Sequence, residues 1–155
     1  MPRKVTKSLQ RKVSPDRKYQ SMLVQRLINK SMLDGKKQTA ERAVYAALEG
    51  AAKKLGSEDP VEVFEKALAN ISPDFEVKSR RVGGANYQIP FPISGHRQQH
   101  FAFSWLVQAA RARQGMPYEL EIVDAYNETG AAFKKKEDCH RMAEANRAFA
   151  HFARA

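Results

Sequence analysis

Residues 75–93 read FEVKSRRVGGANYQIPFPI, and this stretch decides the fold. Hydrophobic residues alternate with polar or charged residues on both sides of Gly83-Gly84, which is the period of a β-strand. Two adjacent glycines between such strands are typical of a hairpin turn. Pro90 and Pro92 have no backbone N–H, so the second strand must lie at an edge. We therefore predict a β-hairpin at about residues 75–93 with a projecting, Arg-rich tip.

Outward from the hairpin, hydrophobic residues recur every three to four positions, which is the spacing of amphipathic helices. Pro15 and Asp16 are typical of a helix start, and Asp59-Pro60 of an N-cap followed by a first turn. We predict helices over residues 15–33, 40–55, 60–71, 95–113 and 117–126, and a last helix that follows Lys134-Lys135-Lys136. That last helix would carry an apolar stripe formed by Cys139, Met142, Ala143, Asn146, Phe149 and Ala153. The predicted fold is mainly α, a single domain of about six helices with a protruding two-stranded β-hairpin between the third and fourth helices.

Composition and charge narrow the class of protein. The 155 residues include 27 Lys and Arg against 17 Asp and Glu, a net charge of +10, which is typical of a chain that binds a polyanion. There is no run of 18 apolar residues for a membrane span and no apolar signal segment behind Met1. The single Cys139 cannot form an internal disulfide, so we expect a cytoplasmic protein with no membrane partner.

Positive charge is concentrated near the N-terminus. Residues 1–18 hold seven Lys or Arg residues and one carboxylate, Asp16. Their few apolar residues are too sparse for a core. We therefore predict a basic, flexible N-terminal arm at residues 1–18 and a helical RNA-binding domain at residues 19–155. The alternative is a solvated tail that only improves solubility.

Three further basic clusters lie at predicted helix starts: Lys36-Lys37, His96-Arg97 and Lys134-Lys135-Lys136. Cations are unfavourable at a helix N-terminus, by about 0.3–1 kcal/mol each. They become favourable when a phosphate group binds there, because free backbone N–H groups and cations then converge on it. A single such cluster could be a solvated charge run, but three of them favour phosphate binding.

The hairpin suggests the form of the nucleic acid. It combines Lys78, Arg80 and Arg81 with glycines that let the backbone approach a ligand, and Tyr87 could stack on an unpaired base. These features favour an irregular folded RNA over a regular duplex. Two alternatives stay open: the Gly-Gly tip could be an ordinary tight turn, and Tyr87 could pack at the base of the hairpin.

The sequence offers no chemistry for an enzyme, a metal or a cofactor. His96 and His100 are four residues apart, but no third ligand lies nearby, and no nucleophile or phosphate-loop motif occurs. We expect Glu119, Glu121 and Asp124 to form a solvated helix face. The leading hypothesis is a structural RNA-binding protein, and the alternative is an architectural DNA-binding protein.

Three motifs carry a resemblance to a known family. They are VKSRRVGGANYQIP at residues 77–90, MLDGKK at residues 32–37 and KKKEDCHRMAEANRAFAH at residues 134–151. Together they resemble the bacterial small-subunit ribosomal protein seven family, and the similarity runs from about Ser14 to Phe152. Two segments depart from the family pattern. Residues 116–122 are about two residues shorter, with Glu119 where the family usually has a basic residue, and His96-Arg97 replaces a basic pair.

The resemblance implies a primary binder of the 3′ major domain of small-subunit ribosomal RNA that nucleates assembly of the subunit head. It also implies a position near exit-site tRNA and the mRNA exit path, next to ribosomal proteins nine and eleven. The implied ribosomal RNA contacts are Arg3, Lys4, Lys7, Arg11, Lys12, Lys36, Lys37, Lys78, Arg97, Lys134, Lys135, Lys136 and Arg141. The ribbon that would face exit-site tRNA and mRNA consists of Arg80, Arg81, Gly83, Gly84, Asn86 and Tyr87.

Overall fold

The computed structural model describes residues 13–153 of the chain. Three helices precede a two-stranded antiparallel hairpin, and three more helices and a short 3₁₀ helix follow it. In chain order they are α1 (Met22–Ser31), α2 (Lys37–Leu55), α3 (Pro60–Ile71), β1 (Phe75–Val82), β2 (Ala85–Pro92), α4 (Gly95–Ala112), α5 (Glu119–Tyr126), α6 (Gly130–Ala145) and the 3₁₀ helix Arg147–Ala153. The predicted mainly α fold with a hairpin between the third and fourth helices is confirmed.

The hydrophobic core lies among α1–α5 and includes Ala132 of α6. Its largest fully buried apolar side chains are Phe64, Leu27, Ile28, Leu48, Ile71, Leu106 and Ile122. Most of them come from the apolar stripes that the sequence pattern predicts. Helix α5 is the exception, because it buries Ile122 and Ala125 and leaves the predicted Leu120, Val123 and Tyr126 partly exposed. Within residues 13–153, no helix is both long enough and apolar enough to cross a bilayer.

Local sequence determines where α2 ends and where α3 begins. Gly56 ends α2 in the left-handed conformation at φ +67°, which glycine adopts without strain. Asp59 caps α3, because its Oδ1 accepts hydrogen bonds from Val61 N at 2.8 Å and Glu62 N at 3.4 Å. Pro60 follows as the first helical residue. Both ends agree with the prediction.

The start of α1 differs from the prediction. The helix begins at Met22 after the N-cap Ser21, not at Pro15-Asp16. Asp16 is buried, and its carboxylate instead closes the preceding turn by accepting from Tyr19 N at 2.8 Å and Ser21 N at 2.8 Å. Gln20 has φ +53°, which is incompatible with an α-helix through this segment.

The hairpin forms as predicted. Phe75 pairs with Pro92 and Val82 with Ala85, which leaves a two-residue turn at Gly83-Gly84. Both glycines have positive φ, +58° and +92°, as the favoured two-residue hairpin turns require. In this two-stranded sheet β2 is an edge strand, so Pro90 and Pro92 are tolerated.

The last helix was predicted wrongly at both ends. It begins at Gly130, four residues before the lysine run, and it ends at Ala145. Asn146 is the C-cap, and its side-chain Nδ2 donates to Met142 O at 2.8 Å. The chain then continues as the 3₁₀ helix. The predicted stripe is therefore broken: Ala143 is buried, whereas Met142 is 53% exposed.

Candidate nucleic-acid interface

One face of α4 is open along the whole helix. Arg97, Phe101, Ser104, Gln108 and Arg111 recur at i, i+4, i+7, i+11 and i+14, so they share one face. All five are exposed or partly exposed. An 18-residue helix is about 27 Å long. We call this strip the α4 surface, and the basic clusters are described relative to it.

The amino end of the α4 surface joins the base of the hairpin. Glu76 of β1 is buried and forms ion pairs with Lys78 Nζ at 2.5 Å and Arg97 Nη2 at 2.9 Å. Burial alone would raise the pKa of Glu76, but hydrogen bonds from Lys78 and Arg97 outweigh burial and lower it. The Arg97 guanidinium also lies 4.7 Å from the centroid of the Phe101 ring. The structure thus brings two predicted RNA contacts, Lys78 and Arg97, together around one carboxylate.

A cleft that sequence reasoning missed flanks the α4 surface on the side of α1. Its volume is about 570 Å³, and its lining is Arg26, Asn29, Lys30, His96, Gln99, His100 and Phe103. Arg26 donates a hydrogen bond to Gln99 and so links the two helices. The sequence feature that could have indicated this cleft is the spacing of Arg26 and Lys30, which are four residues apart and so share one face of α1.

The carboxyl end of the α4 surface lies near the turn that precedes α2. Arg111 Nη2 donates to Ser31 O at 3.3 Å, and Ser31 is the last residue of α1. Five residues later, Lys36 is the N-cap of α2 and Lys37 its first residue. The helix therefore begins three residues before the predicted Ala40, and the lysine pair lies at its start. Both lysines are exposed, although Lys37 Nζ lies 3.7 Å from Glu41 Oε1.

One of the three α6 lysines, Lys135, contacts the α4 surface. Lys135 Nζ donates to Gln108 Oε1 at 2.8 Å, whereas Lys136 Nζ donates to Asn70 O at 2.7 Å. Lys134 is exposed. The three lysines lie inside α6 and do not precede it, so the helix N-terminus argument does not apply to them. Arg141 is exposed and forms an ion pair with Asp138.

The predicted ribbon is partly covered by the 3₁₀ helix Arg147–Ala153. The Tyr87 ring lies 5.1 Å from Phe149 and 5.6 Å from Phe152, centroid to centroid. Arg80 Nη1 donates to Phe152 O at 3.2 Å. Arg81, Gly83, Gly84 and Asn86 are exposed at the tip. Packing within the chain is therefore the role that the structure gives to the Tyr87 ring.

The acidic residues of α5 do not form the solvated face that we expected. The Glu121 side chain is 1% exposed and lies 2.9 Å from Arg113 Nε, and Asp124 also pairs with Arg113. Glu119 pairs with Lys54 at 2.7 Å. The physical reason is that α5 packs between α2 and α3, so its carboxylates point into helix interfaces. The hydrogen bond to Asp124 raises the pKa of Arg113.

The described part of the predicted arm contacts the body. Lys18 forms an ion pair with Glu49 of α2, and the Tyr45 hydroxyl donates to Asp16 Oδ2 at 3.1 Å. Burial would raise the pKa of Asp16, but its hydrogen bonds outweigh burial and lower it. The arm residues proposed to bind RNA, which are Arg3, Lys4, Lys7, Arg11 and Lys12, lie outside the described residues.

Comparison with known proteins decides the family. The sequence model of the family described as "Ribosomal protein S7p/S5e" matches residues 2–147. Relatives named small ribosomal subunit protein uS7 include one from Chloroflexus aggregans, 53% identical over 93% of this chain and 94% of the relative. Another, from Hydrogenobaculum, is 54% identical over 98% of this chain and 99% of the relative.

The chain belongs to the ribosomal protein S7p/S5e family. It is a ribosomal protein of the small subunit that takes part in translation, with RNA binding implied by the family. The family is structural and non-enzymatic. Membership favours the RNA-binding hypothesis over the architectural DNA-binding alternative. The individual contact residues stay predictions.

Proposed function

We propose that this S7-family chain binds the 3′ major domain of small-subunit ribosomal RNA and nucleates assembly of the subunit head. It would lie near exit-site tRNA and the mRNA exit path, with ribosomal proteins nine and eleven as neighbours, in the cytoplasm. Family membership supports a ribosomal role in general, and the motif resemblance supports the finer placement. The structural observation that carries the proposal is the α4 surface, an open helix face with basic clusters along it.

The extent of this surface favours a folded RNA over a small ligand. Basic groups lie near both ends of α4: Arg97 and Arg111 are 14 residues apart, which is about 21 Å along the helix. Phosphates along an RNA backbone could contact Arg97 at one end and Arg111 at the other. Lys135 and the cleft residues Arg26 and Lys30 would extend the contact sideways.

Binding would work by electrostatics and shape. Lys and Arg side chains that neutralise phosphates release condensed counterions, which supplies a large part of the affinity. Exposed cations at Lys36 and Lys37 lie at the start of α2, where no N-cap side chain accepts from the backbone N–H groups, an arrangement suited to a phosphate. The two ends of the surface would hold two RNA segments in one relative orientation.

The hairpin would have a separate task. Its tip residues Arg81, Gly83, Gly84 and Asn86 are exposed, so they are accessible to exit-site tRNA or mRNA, while the base at Lys78 belongs with the ribosomal RNA contacts. Arg80 and Tyr87 would support the tip, because both contact the 3₁₀ helix. The basic arm at residues 1–18 would add ribosomal RNA contacts outside the described part of the chain.

RNA footprinting with the purified full chain tests the proposal. The probe is the isolated 3′ major domain of small-subunit ribosomal RNA, and the 5′ and central domain fragments are matched controls. We expect protection of a defined junction in the 3′ domain alone. Equal protection of all three fragments, or displacement of the RNA by duplex DNA at comparable concentration, would contradict the proposal.

A further inference from the structure

An ionic cluster around the buried Glu121 connects the end of α4, helix α5 and the start of α6. Arg113 directly follows α4, and its guanidinium pairs with Glu121 and Asp124 of α5. Glu121 Oε1 also accepts a hydrogen bond from Ala132 N at 3.1 Å, and Ala132 is the third residue of α6. Glu121 thus acts as an N-terminal cap for a helix other than its own.

The contact between α5 and α6 is tight at this point. Thr129 N donates to Asp124 O at 2.8 Å. A Cβ atom at Gly130 would lie 2.8 Å from Asp124 Cβ, so only glycine fits there without a shift. These contacts therefore hold the start of α6 in place relative to Arg113, Glu121 and Asp124.

That position determines where Lys135 lies. Lys135 follows Ala132 by three residues, about 4.5 Å along a rigid helix, and its Nζ contacts Gln108 on the α4 surface. We propose that Glu121, with Arg113 and Asp124, is a positioning residue that holds Lys134 and Lys135 beside the α4 surface for contact with RNA phosphates. This inference rests on the proposed function.

The test compares Glu121→Gln with Glu65→Gln, an exposed carboxylate on α3. Each change raises the net charge by one, which by charge alone would tighten RNA binding. We expect Glu121→Gln to weaken binding of the 3′ domain RNA by about threefold to tenfold, at a temperature where circular dichroism shows folded protein. Glu65→Gln should bind no more weakly than the wild type. If Glu121→Gln does not fold, Asp124→Asn removes one partner of Arg113 and should weaken binding in the same way.

A double-mutant cycle separates positioning from general destabilisation. In a Lys134→Ala/Lys135→Ala background, Glu121→Gln should have no further effect, because it acts through those lysines. An equal loss in both backgrounds, or no loss with a folded Glu121→Gln or Asp124→Asn variant, would overturn the inference. Wild-type affinity of Lys134→Ala/Lys135→Ala itself would instead overturn the α6 contact in the proposed function.

Discussion

Individual carboxylates join separate parts of this structure through hydrogen bonds and ion pairs. Asp16 accepts hydrogen bonds from three backbone N–H groups and from Tyr45, and Glu76 joins the hairpin base to α4. The sequence pattern predicts Asp16 at a helix start and gives no contact for Glu76. Both errors have one cause: a carboxylate's partners are set by the tertiary fold, and local spacing does not reveal them.

Asp16→Asn tests the first of these roles. The change replaces one buried carboxylate oxygen by an NH2 group, which cannot accept the hydrogen bonds that Oδ2 accepts from Lys18 N, Tyr19 N and the Tyr45 hydroxyl. The free energy of unfolding should therefore fall by about 1–3 kcal/mol at pH 7. The folded state lowers the pKa of Asp16 below 3.8. The carboxylate therefore stabilises the fold above that value, and this stabilisation is lost as pH falls through the folded pKa.

Urea denaturation at pH 7 and near pH 3 measures the effect. The difference between wild type and Asp16→Asn should shrink at the lower pH. The control Asp34→Asn, an exposed turn carboxylate, should change stability by less than about 0.5 kcal/mol. A difference for Asp16→Asn that stays constant with pH would show that its charge is not involved.

At the scale of elements, the features that depend on local sequence were predicted correctly, and those that depend on tertiary contacts were not. The hairpin, the end of α2 at Gly56 and the start of α3 at Asp59 were predictable, because each depends on residues adjacent in sequence. The start of α6 was not, because Glu121 caps it from another helix. The α1–α4 cleft was missed for the same reason, since its basic residues come from two separate helices.

The aromatic contact between the 3₁₀ helix and β2 leads to a prediction about the hairpin. Phe149 and Phe152 lie against Tyr87, and such ring pairs contribute about 0.5–1.5 kcal/mol beyond area burial. In Phe149→Ala/Phe152→Ala, amide hydrogen exchange of β2 should become several-fold faster, while the helical core keeps its protection. Arg147→Ala is the control, because its ion pair with Glu144 is largely exposed. Unchanged exchange in the double variant would show that the 3₁₀ helix does not support the ribbon.

At the scale of the whole molecule, stability and binding rest on different residues. The core is apolar and lies among α1–α5, whereas the basic groups along the α4 surface are exposed or partly exposed. The net charge of +10 follows from the composition, but the arrangement of the basic residues along one helix is seen only in the folded structure. Removal of the exposed lysines Lys134 and Lys135 should therefore reduce RNA affinity and leave thermal stability nearly unchanged.

The salt dependence of binding to the 3′ domain RNA is the most direct test of this separation. If about six phosphates are neutralised, affinity should fall on the order of a thousandfold between about 50 and 200 mM salt. Lys134→Ala/Lys135→Ala should give a shallower slope at an unchanged melting temperature. The control Lys53→Ala/Lys66→Ala, which removes the same charge from α2 and α3, should keep the wild-type slope. A nearly flat dependence for the wild type, or equal slopes for the two double variants, would contradict RNA binding by the α4 surface.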